Sequence, residues 1–346
     1  MLILPLLIVK NSENLVLNVL NPFIEKKFKK FLIIDTGSTD GTIQVVKNIY
    51  SSHNLEETSI LLEKEDEINK EDILKLSKEY FPEIEYVLFL DIFSYINNIE
   101  ILMGITGELK KDIYYVLTKI GGYENYKEEL FKNSGELNYD NTDYLTEYIY
   151  FTNFKKENSY KKDLPLLLSQ NIKNYFTIAQ TYFFMNDVKN ASINYKKYIE
   201  EGDKNINKLF FSNYQLGNIH SDKNYYSIAN TLQPYRAEPF ICLCLLQNSD
   251  MNINDKLNYI NYTIELEVPK GFYVNRNFYD MRFKILSILS FKLKDYMTCK
   301  KSALKGLKLL PNDKELTNLL ELSENKLPKE IKKEEKEIKE EEEIKK

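Results

Sequence analysis

The sequence has no tryptophan, only three cysteines and only two histidines in 346 residues. Cys242, Cys244 and Cys299 follow no disulfide or zinc spacing, so we expect them to be reduced thiols in the protein core. His53 and His220 are too few to build a histidine-rich metal cluster. The composition therefore excludes a disulfide-stapled domain and a zinc finger, and it predicts a protein of the reducing cytoplasm.

Long apolar runs and an excess of basic charge are also missing. The net charge is -5, which provides no attraction to nucleic acids or anionic membranes. No window approaches the roughly 20 apolar residues that a membrane-spanning helix needs. The opening stretch MLILPLLIVKN has a short apolar run without a preceding basic segment, so it favours a buried strand over a signal peptide. We expect a soluble protein with no membrane span and no nucleic-acid partner.

Short apolar runs alternate with amphipathic stretches over the first 120 or so residues. The runs at 2–9, 31–34, 60–62 and 86–90 predict strands, and the stretches between them predict helices. Near-continuous apolar strands separated by helices are typical of a parallel sheet covered on both faces. We therefore predict an α/β domain over residues 1–155, with a doubly wound, mostly parallel sheet.

From about residue 165 the pattern changes to helices alone. The spacing of a tetratricopeptide unit is matched by Tyr175, Ile178, Ala179, Tyr182, Ala191 and Tyr195, and weaker copies follow. Small residues at fixed positions let the two helices of one unit pack closely. We predict an all-α region of tetratricopeptide-like helical repeats over 165–325, followed by a charged low-complexity tail over 326–346.

The stretch IIDTGSTDGT, residues 33–42, joins a predicted strand to a predicted helix. Asp35 ends the strand, Gly37 and Gly41 permit tight turns, and the hydroxyls of Ser38 and Thr39 are expected to cap the helix. A carboxylate at this place accepts hydrogen bonds from a base or a ribose, and the helix N-terminus favours a diphosphate. From the loop alone, a capped turn without a ligand is an equal alternative.

Open α/β sheets bind ligands beyond the carboxyl ends of their strands. In this sequence the stretch from Lys10 to Glu13, the stretch from Asp35 to Gly41, and Asp91 all follow predicted strands. The pattern therefore predicts that these polar residues share one edge of the sheet.

Three stretches together resemble the family 2 glycosyltransferases of the GT-A fold, in particular the branch with C-terminal tetratricopeptide repeats. They are LLIVKNSENL, FLIIDTGSTDGT and YVLFLDIF. Val9, Lys10, Asn11 and, after one inserted serine, Glu13 match the first family motif, and residues 35–42 match the second. The resemblance covers residues 1–100 well and the helical region in general layout. It implies a GT-A-like domain that binds a nucleotide-sugar through Lys10, Asn11, Glu13, Asp35, Gly37, Asp40 and Asp91.

In this family the fourth strand ends in Asp-Ala-Asp, and the last carboxylate holds a divalent cation that bridges the donor diphosphate. The matching residues are Asp91, Ile92 and Phe93. Asp91 remains the candidate for a ribose contact or a metal ligand. Because a phenyl ring cannot coordinate Mg²⁺ or Mn²⁺, we expect nucleotide binding that depends little on the cation.

The acceptor side of the family carries an Arg-x-Phe-Arg-Asn element and then His-Glu. The stretch ELFKNSGEL keeps Phe131, Lys132 and Asn133, and YLTEYI places Thr146 at the histidine and Glu147 at the glutamate. The resemblance implies Glu147 as the general base on an acceptor hydroxyl. From the residues alone, a solvated glutamate at a domain boundary is the alternative.

Two functions remain open at this point. The first is transfer of a sugar, with inversion, from a nucleotide-sugar to a hydroxyl of a protein or glycan. The second is a catalytically inactive glycosyltransferase-like protein whose repeats dock a protein partner. The intact DTGSTDGT loop favours the first function, and Phe93 favours the second.

Overall fold

The computed structural model describes residues 2–64, 68–120, 122–147, 149–153, 157–169, 174–202, 205–246 and 251–327. The chain divides into two compact units. The first, which we call the sheet unit, comprises Met1–Tyr160 and Lys270–Tyr273. The second, the helical unit, comprises Lys161–Pro269 and Val274–Lys346. The predicted charged tail lies outside the described residues from 328 onward.

Strands and helices alternate over the first 90 residues of the sheet unit. The elements are β1 (Ile3–Val9), α1 (Val16–Glu25), β2 (Leu32–Asp35), α2 (Thr42–Ser52), β3 (Ile60–Glu63), α3 (Lys70–Tyr80) and β4 (Tyr86–Leu90). The four predicted strands are confirmed, because no observed end differs from its predicted position by more than one residue. Their apolar runs are buried or half-buried between helices, as an inner sheet requires.

The first four strands form the parallel half of the sheet, in the order β3-β2-β1-β4. The chain moves outward from β1 to β2 and β3, and then returns through α3 to place β4 on the other side of β1. The strand order therefore reverses between β1 and β4. Such a reversal opens a crevice at the carboxyl ends of the two strands, where α/β proteins bind ligands.

The second half of the sheet unit adds antiparallel strands. The elements are β5 (Ser94–Asn97), α4 (Ile99–Ile105), a 3₁₀ turn (Thr106–Glu108), β6 (Ile113–Ile120), β7 (Tyr123–Lys132), β8 (Thr142–Tyr144) and β9 (Tyr150–Asn153). The nine described strands follow the order β3-β2-β1-β4-β7-β6-β9-β5, with β8 beside β6. Parallel pairing joins β1 with β2 and β4, β2 with β3, and β6 with β8 and β9. Antiparallel pairing joins β7 with β4 and β6, and β5 with β9. The prediction of a mostly parallel sheet is confirmed.

Helices cover both faces of this sheet. On one face, α1, α2 and α4 bury Val19, Val46 and Leu102 against the strands. On the other face, α3 buries Ile73 and Leu74 in a second apolar cluster. Each fully buried side chain of this kind contributes about 1.5–3 kcal/mol of transfer free energy. The two cores hold the strand ends, and the loops that follow them, in fixed positions.

The helical unit is built from successive helices. Its elements are α6 (Tyr175–Phe184), α7 (Val188–Glu200), α8 (Ile206–His220), α9 (Lys223–Leu232), α10 (Glu238–Leu245), α11 (Ile253–Ile264), α12 (Arg276–Lys292), α13 (Tyr296–Leu309) and α14 (Lys314–Lys326), while α5 (Glu157–Ser169) spans the boundary between the units. Helix α6 packs on α7 and α8 on α9. Ala179 and Ala191 are fully buried, and a Cβ added at Gly217 would lie 2.7 Å from the Tyr226 ring. The predicted close packing of helix pairs through small residues is confirmed. Within the described residues, no helix has the length and apolarity to cross a membrane.

A buried ion pair lies at the start of α10 in the helical unit, and Tyr279 of α12 bonds to it. Arg236 Nη2 donates to Glu238 Oε1 at 2.6 Å, and both side chains are at most 3% exposed. The Tyr279 hydroxyl donates to Glu238 Oε2 at 2.9 Å and accepts from the Ala237 amide at 3.0 Å. Both carboxylate oxygens of Glu238 accept hydrogen bonds, and bonding of this kind is the condition under which buried charges are tolerated.

Candidate functional site

The carboxyl ends of β1, β2 and β4 bring most of the predicted site residues to one edge of the sheet. Val9 is level with Asp35, and Leu7 is level with Leu90. The loops that begin at Lys10, at Thr36 and at Asp91 therefore leave the same edge on neighbouring strands. Because neighbouring strands lie about 4.8 Å apart, all three loops border one crevice.

Asp35 lies in the floor of this edge and is only 1% exposed. Its Oδ1 accepts from the backbone amides of Gly37 at 3.0 Å and Ser38 at 2.8 Å. Its Oδ2 is buried and has no hydrogen-bond partner among the described residues. A buried carboxylate oxygen without a donor is costly, since its lost hydration is not replaced. The atom is thus an acceptor available to an N–H or O–H group of a ligand.

Gly37 allows the chain to fold back over Asp35. Its φ is +90°, and an added Cβ would meet no atom within 4 Å. The requirement for glycine is therefore one of backbone conformation and not of space. The amides of residues 37 and 38 both point at the carboxylate as a result.

Asn11 ties the loop after β1 to the loop after β2. It has a positive φ of 48°, and its backbone amide donates to Ser38 Oγ at 2.8 Å. Its own Oδ1 accepts from the Thr39 amide at 2.7 Å. The predicted binding residue Asn11 thus has its side-chain oxygen turned onto the neighbouring loop.

The inserted serine of the first motif is accommodated in the same way. Ser12 is buried; its amide donates to Thr42 Oγ1 at 2.6 Å and its hydroxyl to the Lys10 carbonyl at 2.8 Å. The extra residue therefore packs inward against the first turn of α2 and leaves Lys10 exposed. No ion pair of Lys10 occurs within the described part of the chain, so its ammonium group is available to an anion.

The N-terminus of α2 is satisfied by carboxylates of the protein itself. Glu13 Oε2 accepts from the Gly41 amide at 2.8 Å, and Asp40 Oδ1 accepts from the Thr42 amide at 3.0 Å. The prediction that Ser38 and Thr39 cap this helix is wrong, because Ser38 Oγ accepts from Asn11 instead and the cap comes partly from another loop. Two negative charges already lie at the positive end of the helix, where the sequence led us to expect a diphosphate.

The ionisation of Asp40 reflects this capping role. Its slight burial acts to raise the pKa, but hydrogen bonds from the Thr42 hydroxyl, the Thr42 amide and the Glu13 amide outweigh that effect. The pKa of Asp40 is consequently lowered, so the carboxylate is charged at neutral pH.

Asp91 follows β4 and begins a tight turn into β5. Its Oδ1 accepts from the Phe93 amide at 2.9 Å, and its backbone carbonyl accepts from the Ser94 amide at 2.9 Å. Asp91 and Phe93 are both half-buried. Across the described residues, no group of three or more acidic, histidine or cysteine side chains is arranged to hold a metal ion. The end of β4 itself therefore offers a metal ion one carboxylate, that of Asp91, and one oxygen of this carboxylate already accepts a hydrogen bond.

Glu147 lies at a different place in the sheet unit. It is exposed in the turn between β8 and β9, where the Ile149 amide donates to the Thr146 carbonyl. In the antiparallel ladder of β5 and β9, Ser94 is level with Asn153 and Asn97 with Tyr150. Asp91 lies just before Ser94, at one end of this ladder, and Glu147 lies just before Tyr150, at the other end. Asp91 and Glu147 are therefore beyond opposite ends of the ladder. The structure does not bring Glu147 alongside Asp91.

Of the other retained residues of the acceptor-side element, Phe131 and Asn133 are buried and Lys132 lies at the surface. Phe131 is fully buried in the apolar cluster under α3. The Asn133 side-chain amide donates to the carbonyls of Phe81 at 3.0 Å and Ile84 at 3.2 Å. Lys132 pairs with Asp112 at 3.4 Å. These contacts anchor the end of β7 and leave no side chain of the three for a substrate.

Glu129 is a residue of the site that the sequence did not reveal. It sits at an irregularity of β7, where the pairing with β6 shifts from Tyr114–Leu130 to Tyr115–Glu128 and skips Glu129. Burial raises the pKa of Glu129 to about 7, and Asp91 lies close enough for its negative charge to act in the same direction. The position holds the first arginine in the family element, and this departure was the only signal that the sequence offered.

No family model matches the sequence, and no curated protein matches it significantly. Among solved structures, a structure of S. aureus TarS has a TM-score of 0.34 and 15% identity over 68% of this chain and 55% of that chain. TarS 1-349 in complex with UDP-GlcNAc has a TM-score of 0.37 and 13% identity over 89% of this chain and 91% of that chain. The mannosyltransferase PcManGT from Pyrobaculum calidifontis, in complex with GDP-Man and Mn²⁺, has a TM-score of 0.37 and 12% identity over 88% and 87%. The chain thus spans about half the length of the first of these structures. All three TM-scores lie below 0.5.

Proposed function

We propose that the sheet unit binds a nucleotide-sugar at the crevice between β1 and β4 and transfers the sugar to a hydroxyl acceptor. The observation that carries this proposal is Asp35 Oδ2, a buried acceptor without a donor at the carboxyl edge of a doubly wound sheet. A nucleobase N–H or a ribose hydroxyl supplies the missing donor. A carboxylate that accepts one such hydrogen bond contributes about 1.5–3 kcal/mol to binding.

The diphosphate of the donor is assigned to the exposed ammonium group of Lys10. This residue follows β1 directly, one strand away from Asp35, and has no ion pair in the described part of the chain. The N-terminus of α2 takes no part in this step, because Glu13 and Asp40 occupy its first amides. The base and the diphosphate are therefore held from two adjacent loops that hydrogen bonds tie together.

The family resemblance also implies a divalent cation, but the residues present do not fit one. Asp91 provides a single carboxylate with one oxygen engaged by the Phe93 amide, and Phe93 provides no donor. Mg²⁺ sites normally combine one or two carboxylates with substrate phosphates in an octahedral shell. We therefore assign Asp91 to the ribose and route no step of the reaction through a metal.

Isothermal titration calorimetry with UDP and GDP, each with Mn²⁺ and with EDTA, tests the proposal. Asp35→Asn is the sharpest variant, because its Oδ1 still accepts from the two loop amides while an NH₂ group replaces the free acceptor. We expect Asp35→Asn to weaken nucleotide binding about 10- to 100-fold, the equivalent of one charged hydrogen bond. Asp140→Asn, at an exposed position in the loop before β8, is the matched control.

Two results would count against this function. If the wild-type protein binds neither nucleotide, the site is not a donor site. The alternative is then a glycosyltransferase-like scaffold whose helical unit docks a protein partner, an interpretation that Phe93 in the place of a metal ligand favours. If nucleotide binds but Asp35→Asn binds equally well, the nucleotide lies elsewhere on the sheet.

A further inference from the structure

Glu129 lies near the end of β4, at a break in the pairing of β7 with β6. In the antiparallel β4–β7 ladder, Leu88 is level with Leu130. Continuing this register by one residue places Glu129 beside Phe89, two residues before Asp91. In the β6–β7 ladder Glu129 is the skipped residue. A bulge of this kind bends the strand and redirects the side chain of the extra residue. The β4–β7 register thus places Glu129 near the end of β4, at the point where β7 departs from regular pairing with β6.

The charged groups around Glu129 come from three elements. Lys70 lies at the start of α3, Lys127 and Glu128 belong to β7, and Asp91 follows β4. Lys70 Nζ is already engaged by Glu128, whose Oε2 lies at 3.4 Å, and it rests 4.9 Å from the centre of the Phe131 ring. Within the described residues, Glu129 itself makes no hydrogen bond and no ion pair. The structure thus contains a half-buried carboxylate, close enough to Asp91 to feel its charge, that is held by no hydrogen bond or ion pair among the described residues.

We propose that Glu129, and not Glu147, is the general base of the transfer reaction, an inference that rests on the proposed function. Glu129 takes the proton of the acceptor hydroxyl as the acceptor oxygen forms a bond to the anomeric carbon. The bond between that carbon and the diphosphate oxygen breaks at the same time, and the nucleoside diphosphate leaves with the electron pair. The sugar is inverted at the anomeric carbon, and the proton remains on the glutamate until it passes to water.

The surroundings of Glu129 suit this role. Burial, the largest effect, raises its pKa to about 7; Lys127 and Lys70 act against the rise, while Asp91 and Glu128 add to it. A general base works best when its pKa lies near the working pH. Because the carboxylate must be unprotonated to accept a proton, the rate should increase as the pH rises through about 7 and level off above it.

Release of UDP from UDP-GlcNAc, with water as the acceptor, measures this step without knowledge of the natural acceptor; GDP-Man is assayed in parallel. We expect Glu129→Gln to lower kcat by about 10²–10⁴-fold, with a change in donor KM of less than about threefold and no loss of UDP binding by calorimetry. Glu128→Gln is the matched control at the neighbouring position and should keep kcat and a rising pH limb, displaced to lower pH because Glu128 helps to raise the pKa of Glu129. Glu129→Asp, with a shorter side chain, should retain part of the rate and the rising pH limb.

The pH profile separates a catalytic role from a structural one. A merely structural role would lower the rate of Glu129→Gln equally at all pH values and would also lower its melting temperature. Loss of the pH limb in Glu129→Gln, with a melting temperature no lower than that of the wild type, supports the assignment. A full rate in Glu129→Gln, or a loss of rate in Glu147→Gln with a wild-type profile in Glu129→Gln, overturns it.

Failure of this inference and failure of the proposed function give different results. Absence of nucleotide binding in the wild-type protein removes both. Normal UDP binding with no release of UDP or GDP from either donor overturns the assignment of Glu129 as the base and leaves the nucleotide site in place.

Discussion

Glu129 should also affect the stability of the sheet unit, and this effect does not depend on any substrate. Its pKa is raised from an ordinary value of 4.5 to about 7 in the folded chain. The folded state therefore holds the proton more tightly than the unfolded state does between these two values. Stability from this group is fully present below pH 4.5, falls as the pH rises toward 7, and stays low above it.

The size of the effect follows from the difference between the two pKa values. From 4.5 to about 7 is about 2.5 pH units, which at 1.36 kcal/mol per unit corresponds to about 3 kcal/mol. Glu129 is half-buried and not fully enclosed, so solvent screening reduces this figure, and we expect about 1–2 kcal/mol. In a domain of about 150 residues, that amounts to roughly 2–8 °C in melting temperature.

Thermal denaturation of the wild-type protein and Glu129→Gln between pH 4 and pH 9 measures the stability that the ionised Glu129 side chain costs. Glutamine has the same size and no charge, so the variant should gain about 2–8 °C relative to the wild type at pH 8 and little at pH 4. Glu128→Gln, which loses the partly exposed ion pair with Lys70, should show no such gain. If the difference in melting temperature between wild type and Glu129→Gln is the same at every pH, the pKa of Glu129 is not raised in the folded chain and the reasoning is refuted.

Three further perturbations test other parts of the structure. Gly41→Ala should destabilise the sheet unit by about 1 kcal/mol in urea unfolding, because the new Cβ would lie 2.5 Å from Glu13 Oε2 and break the cap of α2. The control Gly104→Ala, whose new Cβ meets no atom within 4 Å, should not destabilise it. Equal losses of stability in the two variants would contradict the capping role of Glu13. Glu238→Gln should cost about 3–5 kcal/mol in the unfolding transition of the helical unit, because it leaves a guanidinium buried without its counter-ion; a loss below 1 kcal/mol would show that water reaches the pair. Phe93→Asp should make UDP binding stronger in Mn²⁺ than in EDTA, as a second carboxylate completes the strand end, whereas strong Mn²⁺ dependence already in the wild type would mean that another residue supplies the ligand.

The sequence by itself determined the parallel half of the sheet and the edge at which the site lies. The apolar runs that became β1, β2, β3 and β4 are short and nearly continuous, and each is followed by a helix. Such a pattern has one common solution, a covered parallel sheet, and in that solution the loops after the strands share an edge. Lys10, Asp35 and Asp91 could therefore be placed together without coordinates.

The roles of single side chains at that edge were decided by the tertiary structure. Glu13 lies 28 residues from Gly41 in sequence, yet its carboxylate accepts a hydrogen bond from the Gly41 amide. Local pattern favoured Ser38 and Thr39 for this task, because capping is normally performed by the residues just before a helix. The loop after β1 comes close enough to replace them only when β1 and β2 pair side by side.

The strand register likewise determined the positions of the two candidate bases, Glu129 and Glu147. Glu129 and Glu147 both lie in polar stretches between Asp91 and the helical region, and their local patterns do not distinguish them. Pairing of β7 with β4 carries Glu129 to the end of β4, near Asp91. Pairing of β9 with β5 carries Glu147 to the far end of that ladder. Register and bulges depend on contacts between strands that are distant in sequence, and for that reason only the folded chain shows which of the two carboxylates lies near Asp91.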